Sequence, residues 1–409
     1  MAKRDFLRRL GPGIVTGAAD DDPSGIGTYT SVGASAGYGF LWSALWLLPF
    51  AYAVQEACAR LALVTGQGLA AIIKSRMPRW VLVLAVLLVA IANTVNIAAN
   101  LSIMSAALGL LVPIEPLVGV VMFAVLLGVT EIVIPYHRYA KALRWLCLSL
   151  LAYVAVLFVA QVDWQQVAIS TLIPSFDFSK VSFGLLIALA GTTISPYLFF
   201  WQAAEEVEEQ SKVNFRRARL RDMEAMRGDV FAGMFTGVFI MFSIMATSAA
   251  TLNAGGITEV ASAADAALAL KPIAGEFASL LFLLGILGVG LLSIPVLAGS
   301  TAYAVAETFG WRESLELKPR QAKAFYGVIV VSMAVALLLN LGGIEPVHFL
   351  LIAATLNGLS APVLMAIIWW LARDKNLLGN WASGKISQFL LGFATLAMGS
   401  LPLFWLLAG

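Results

Sequence analysis

The chain has 409 residues, 60% hydrophobic and only 12% charged, with a net charge of +2. Soluble domains carry about 25% charged residues, so this chain has too little charge to keep so much apolar surface in water. Its mean hydropathy of +0.88 agrees. The composition excludes a soluble enzyme, a disordered chain and a nucleic-acid binder, and it leaves an all-α integral membrane protein. A hydrocarbon core about 30 Å thick takes about 20 apolar residues per helix, so this length holds roughly ten to twelve spans. Two cysteines, Cys58 and Cys147, are too few for a disulfide framework. Both lie in apolar runs, where Cys packs as a small core residue.

Apolar runs between charged or Gly/Pro-rich breaks predict eleven transmembrane helices. They cover 12–36, 41–63, 80–109, 114–134, 142–162, 182–208, 228–251, 274–304, 324–341, 346–372 and 387–408. A short basic stub (Lys3, Arg4, Arg8, Arg9) precedes a full-length span, which is not the pattern of a cleavable signal peptide. Lys and Arg collect on cytoplasmic loops. With the amino terminus inside, the inner loops receive Lys74, Arg76 and Arg79, then Arg138, Lys141 and Arg144, then the Arg-rich stretch Lys212 to Arg227. Of all the basic residues, only Lys180 and Lys271 fall outside, with Arg60 near the inner end of the second span. The expectation is a multi-pass inner (plasma) membrane protein, amino terminus cytoplasmic and carboxyl terminus outside.

The first and sixth spans share an unusual feature. Each has a Pro near its middle with polar residues around it: Asp20-Asp21-Asp22-Pro23-Ser24-Gly25 in one, Gly191-Thr192-Thr193-Ile194-Ser195-Pro196-Tyr197 in the other. Pro removes a helical hydrogen bond and clashes with the preceding turn. The freed carbonyls then need partners inside the bilayer, which marks a cavity or an ion site. An offset of five spans inverts the topology of the second half. The chain therefore reads as one transporter domain, 1–409, with inverted repeats over 12–162 and 182–372 and an extra helix at 387–408. Broken helices at matching positions of two such halves point to the binding site of a secondary transporter.

Three aspartates near the bilayer midplane cost about 2.5–3.5 kcal/mol each on insertion scales. They must be protonated, solvated or bound to a cation. Successive helical residues turn by about 100°, so the three cannot all face one site from an intact helix. Asp22, next to Pro23, is the first candidate ligand, with Asp20 and Asp21 as secondary ones. The competing role for these acids is to cap the half-helix that follows, since Asp favours N-caps. Carboxylates, hydroxyls and carbonyls are hard donors that suit Mg²⁺, Mn²⁺ or Ca²⁺. No His, Cys or Met stands at either break, and His137 and His348 read as surface residues.

These residues resemble the Nramp family of divalent metal transporters. That family's first span runs G-P-x-…-D-P-G-N, and the spacing from Gly11 places its Asp on Asp22. Its second span carries Q-x-L-S-A-R/K-L-G-x-V-T-G, matched by the stretch from Gln55 to Gly66, and its sixth carries G-A-T-V-M-P-H, matched by Gly191 to Tyr197. The resemblance spans all eleven predicted helices and implies a LeuT-type fold with metal held between the broken helices. By position it implies Ala19 and Thr192 as carbonyl ligands, with Thr193 as a nearby hydroxyl. The family's Asn falls on Gly25, its Met on Ser195 and its span-six His on Tyr197. Its acidic D-L-A-E stretch falls on Asn96-Ile97-Ala98-Ala99. The first break, D-P-S-G with Ser24 at its third position, is similar to that of the Nramp-related magnesium transporters. Small residues at Gly25 and Ser195 imply a wider site. Asn96, Asn100 and Asn357 are ambiguous between ligand and interhelical hydrogen bond.

The expected function is a divalent cation transporter that favours Mg²⁺ with Mn²⁺ as co-substrate. It would work by alternating access, with weak or no proton coupling, no resident cofactor and no obligate protein partner. The alternative is the same scaffold carrying a small organic solute, with half-helix amino termini holding a carboxylate. The run of three acids speaks against that. An enzyme has no support, because no nucleophile–base pair or cofactor motif stands out. Glu56 and Arg60, one helical turn apart, are expected to pair. Glu205, Glu206, Glu208 and Glu209 are expected at a solvated helix end, or drawing cations toward an inner exit.

Overall fold

The computed structural model describes residues 12–134, 148–212, 219–315 and 317–408. The basic stub, the loop carrying His137, Arg138, Lys141, Arg144 and Cys147, and Arg216 and Arg217 lie outside the described residues. Every regular element among the described residues is helical. The first predicted span is two helices, α1 (Pro12–Asp20) and α2 (Pro23–Ala36). The chain continues through α3 (Ser43–Thr65), a short helix Leu69–Arg76, α4 (Arg79–Gly109), α5 (Pro116–Val133), α6 (Leu151–Val159) and α7 (Trp164–Leu172). The sixth span is again two helices, α8 (Lys180–Thr193) and α9 (Pro196–Lys212). Then come α10 (Leu220–Ser248), α11 (Ala278–Phe309), α12 (Lys323–Asn340), α13 (Pro346–Ala372) and α14 (Lys385–Leu407).

Nine helices among the described residues are long and apolar enough to cross a membrane, and ten if a bent pair counts as one span. The bent pair alters the predicted fifth span, 142–162. Its described part, Leu148–Val159, turns by 117° into Trp164–Leu172. The carboxylate of Asp163 caps the second piece by accepting from Gln166 N at 2.9 Å. The first span does not meet that measure, because its pieces have only 9 and 14 residues and it carries three acids.

Both breaks come from proline at a helix start, not from a kink within a helix. Pro suits the first helical turn, where its missing N–H is needed least. Pro23 and Pro196 each open a new helix in this way. Close backbone approach then sets the packing. A Cβ at Gly17 would lie 2.3 Å from the Gly233 carbonyl oxygen, so α1 rests directly on α10. One at Gly191 would lie 2.2 Å from Gly358 N, so α8 rests on α13 at its break. Asp229 on α10 accepts from Gly13 N at 2.6 Å and so holds the start of α1. The expected Glu56–Arg60 pair is present, and Glu56 also accepts from Arg227 Nε at 2.9 Å. Arg60 Nη2 reaches Ser387 Oγ on α14 at 3.1 Å. Cys58 is buried in the core as expected, and His348 is exposed.

Candidate metal site

The site is assembled where the two broken spans meet α4 and α13. Asp22 has extended backbone (φ −72°, ψ 171°) and stands just before α2. Its Oδ1 accepts from Gly25 N at 2.8 Å, and its Oδ2 accepts from Asn100 Nδ2 of α4 at 3.0 Å. Asp22 is thus the N-cap of α2 as well as the central acid of the break. A carboxylate has about four lone-pair sites, so two accepted bonds leave donor capacity for a cation. Asn96 lies one turn from Asn100 and is close to the same carboxylate.

Asp20, Asp21 and Asp22 are all buried, at 2%, 3% and 1% exposure. None takes part in an ion pair among the described residues. Asp20 Oδ1, Asp21 Oδ1, Asn96 Oδ1 and Asn100 Oδ1 have no hydrogen-bond partner, and neither does either polar atom of the Asn357 amide. Buried polar atoms are almost always paired, so this many orphaned oxygens beside one break is unusual. The three acids do not converge: no three His, Cys, Asp or Glu side chains among the described residues form a metal-holding group. Asp20 turns its Oδ2 toward Gly237 on α10, where a Cβ would sit 3.3 Å away.

Other candidates are placed as follows. The Ser24 hydroxyl donates to the Leu350 carbonyl of α13 at 3.3 Å. The Ala19 carbonyl accepts from Tyr197 Oη at 2.9 Å. Ser195 turns its hydroxyl back to its own chain, donating to the carbonyls of Thr192 (2.9 Å) and Gly191 (3.1 Å). The hydroxyl of Thr193 bonds the Leu189 carbonyl at 2.8 Å and lies 3.3 Å from Tyr29 Oη. Asn357 is fully buried and adjoins Gly358, which packs on α8 next to the break.

Three expectations change in space. First, the gap expected beside Gly25 is filled. A Cβ there would lie 3.2 Å from the Tyr29 ring, so the aromatic side chain closes the space beside the glycine. Second, a thioether does reach the break. Met241 Sδ of α10 lies 3.2 Å from Thr193 Oγ1. Tyr29 reaches Gly25 from one turn along the same helix, whereas Met241 comes from α10 and only helix packing brings it in. Third, the acids of α9 do not share one environment: Glu209 is exposed at the helix end, and Glu205 and Glu208 are half-buried. Glu206 is buried and accepts from Gln202 Nε2 at 3.0 Å, and Glu208 accepts from the Tyr303 hydroxyl. Glu208, Tyr303, Glu307 and Glu313 line a cavity of about 160 Å³ at that end of the bundle. At the other end, Ser102, Glu115, Asn340 and Glu345 line one of about 550 Å³. Burial, then the nearby Glu307 and Glu208, pushes the Glu313 carboxyl up to about 8.

Two discontinuous helices meeting around buried acids, inside a bundle of apolar helices, define a membrane protein of the LeuT-like fold. Solved structures bear this out. A manganese transporter from Eremococcus coleocola superposes with a TM-score of 0.76 at 18% identity, covering 98% of this chain and 86% of its own. The inward-facing structure of Mhp1 superposes with a TM-score of 0.52 at 16% identity, covering 98% of this chain and 91% of its own. The chain belongs to the Nramp family, described as natural resistance-associated macrophage protein-like, with residues 13–408 matched. Its relatives include proteins named divalent metal cation transporter MntH. The one from Pectobacterium carotovorum is 25% identical over 399 residues, covering 93% of this chain and 90% of its own. The one from Yersinia pestis (strain Pestoides F) is 25% identical over 400 residues, covering 94% and 91%.

Proposed function

We propose that this chain carries divalent metal cations across the inner membrane, with Mg²⁺ favoured and Mn²⁺ as co-substrate. The observation that carries this reading is the set of three buried aspartates at the first break with no basic partner among the described residues. Buried carboxylates without counter-charge are costly, and a divalent cation is the economical neutraliser. The names of the relatives, divalent metal cation and manganese transporters, agree with the class. Asp22 is the principal ligand, with the carbonyls of Ala19 and Thr192. Ser24, Gly25, Thr193 and Ser195 line the site, while Asp20, Asp21, Asn96, Tyr197 and Asn357 stand around it. Asn357 qualifies because its whole amide is orphaned.

Hard oxygen donors dominate this set, which favours Mg²⁺, an ion that keeps several waters when bound. Ser195 supplies no thioether, and the sulfur of Met241 lies 3.2 Å from Thr193 Oγ1. Proton coupling is weak or absent, because Asn96 and Tyr197 stand where the resembled family has its acidic stretch and its His. The cycle is alternating access between the two broken helices, within one domain, 1–409, of two inverted repeats (12–162 and 182–372) and the extra helix at 387–408. The amino terminus is cytoplasmic and the carboxyl terminus outside, following the Lys/Arg bias. The 550 Å³ cavity is then external and the 160 Å³ cavity internal.

The test is uptake of Mg²⁺ and Mn²⁺ into proteoliposomes, read with entrapped metal dyes beside an internal pH dye. Metal uptake without acidification, lost in Asp22→Ala, is the expected result. Uptake of neither ion would overturn the metal reading, and acidification in step with metal would overturn the uncoupled one.

A further inference from the structure

Among the described residues, two side-chain hydrogen bonds tie the broken spans to each other, one on either side of the breaks. Between α2 and α8, Tyr29 Oη lies 3.3 Å from Thr193 Oγ1. The single Thr193 proton is directed at the Leu189 carbonyl, 2.8 Å away, so Tyr29 donates and Thr193 accepts. Between α1 and α9, Tyr197 Oη donates to the Ala19 carbonyl at 2.9 Å. Both tyrosines are wholly buried. The arrangement is reciprocal: the first broken span supplies the tyrosine of one tie and the sixth supplies the tyrosine of the other. The acceptors, Ala19 and Thr193, sit within a few residues of the breaks themselves. Each half-helix of one span is thereby fastened to the half-helix of the other that lies on the same side of the membrane.

We infer that Tyr29 and Tyr197 are paired latches, Tyr29 positioning the outer gate and Tyr197 the inner one. With both ties made, the central acids are closed to both sides. Opening to one side separates the two half-helices there and breaks that tie alone. Each phenolic hydroxyl is bonded only while its gate is shut, so each biases the equilibrium toward closure on its own side. Tyr29 fills the space beside Gly25, which places the outer latch against the site wall, where it responds to the bound ion. The inference rests on the alternating-access reading and its orientation, and it adds which side chains hold each gate.

The test is cysteine accessibility in the full chain with Cys58→Ala and Cys147→Ala. One reporter is Ser102→Cys in the outer cavity, labelled from outside in intact cells. The other is Ala204→Cys in the inner cavity, labelled in inside-out vesicles. Tyr29→Phe, which removes one hydroxyl and keeps the ring, raises labelling at 102 and lowers it at 204. Tyr197→Phe does the reverse. The expected change is roughly threefold to tenfold, the shift that one net hydrogen bond makes in a two-state equilibrium. Thr193→Val removes the acceptor of the outer tie from the opposite helix, so it reproduces Tyr29→Phe and adds nothing when combined with it. Labelling that stays constant in both tyrosine variants, or moves the same way at both reporters, overturns the latches, whether or not metal is transported. Opposed shifts in a protein that moves neither Mg²⁺ nor Mn²⁺ leave the latches standing and remove the metal reading.

Discussion

Asp22→Asn separates the two tasks of the central acid. Asn and Asp are equally good N-caps, so the amide oxygen still accepts from Gly25 N, now 2.8 Å from Oδ1. The charge is lost, and the new Nδ2 is accommodated when Asn100 turns its amide to present Oδ1, which has no partner in the parent. Asp22→Ala instead removes the cap, at about 1 kcal/mol. It also leaves the Asn100 amide, now 3.0 Å from Oδ2, unpaired in the core, at about 1–3 kcal/mol. The Ala variant therefore loses about 2–4 kcal/mol of stability, seen as a lower Tm in detergent, while the Asn variant stays near the parent. For transport the order is different. Removing one partner of a buried charge interaction costs about 3–5 kcal/mol, which is at least roughly 100-fold in affinity at 1.4 kcal/mol per decade. Both variants fall by that factor in Mg²⁺ and Mn²⁺ uptake measured against concentration in proteoliposomes. If Asp22→Asn transports within about threefold of the parent, less than 1 kcal/mol, Asp22 is a cap and not a ligand.

Other outcomes follow from particular contacts. Met241→Ile keeps the volume and removes the sulfur that lies 3.2 Å from Thr193 Oγ1; competition assays should show Mn²⁺ losing ground to Mg²⁺ through loss of that soft donor. Gly17→Ala pushes a methyl into the Gly233 backbone, 2.3 Å from its oxygen, and should cost about 1–3 kcal/mol in thermal unfolding. Gly228→Ala on the same α10 meets nothing within 4 Å and should be neutral or stabilising by about 0.5–1 kcal/mol. Glu313, raised to about 8 by burial and then by Glu307 and Glu208, binds a proton in the folded state that the unfolded chain has released. Its contribution to stability is complete below the ordinary carboxylate pKa and declines as pH rises toward about 8. Glu313→Gln should flatten that fall of Tm between pH 5 and pH 8, and an unchanged slope would remove Glu313 as its source.

Much of the fold is legible in the chain because bilayer solvation acts on each segment separately. Twenty apolar residues make a spanning helix whatever their neighbours do, so most predicted spans agree with the observed helices to within a few residues. The fifth span departs from this. Its helix stops at Val159 and turns by 117°, a choice between one long helix and two short ones that hydropathy alone does not distinguish. The acids of α9 depart only in part. Sequence leaves a solvated helix end or an inner exit open for them; Glu209 is exposed and Glu208 lines the cavity there, while packing against α11 gives Glu208 the Tyr303 hydroxyl and Glu206 is buried.

The breaks were readable for a local reason. Pro23 and Pro196 cannot continue a helix from the preceding turn, and the Asp run beside the first has no stable place in lipid without a purpose. Which groups those breaks meet depends on helix rotation and on the close approach that glycine permits. Asn100 reaches Asp22 across 78 residues, and Tyr29 reaches Thr193 across 164. Met241 arrives from α10 because α10 lies against both α1 and α2. A residue's type and its distance along the chain fix neither the face of the helix it occupies nor the helix opposite. Composition and local chain chemistry were enough for the membrane class and the two broken helices. The Asn100 partner of Asp22, the sulfur of Met241 beside Thr193 and the two tyrosine ties exist only once the helices pack.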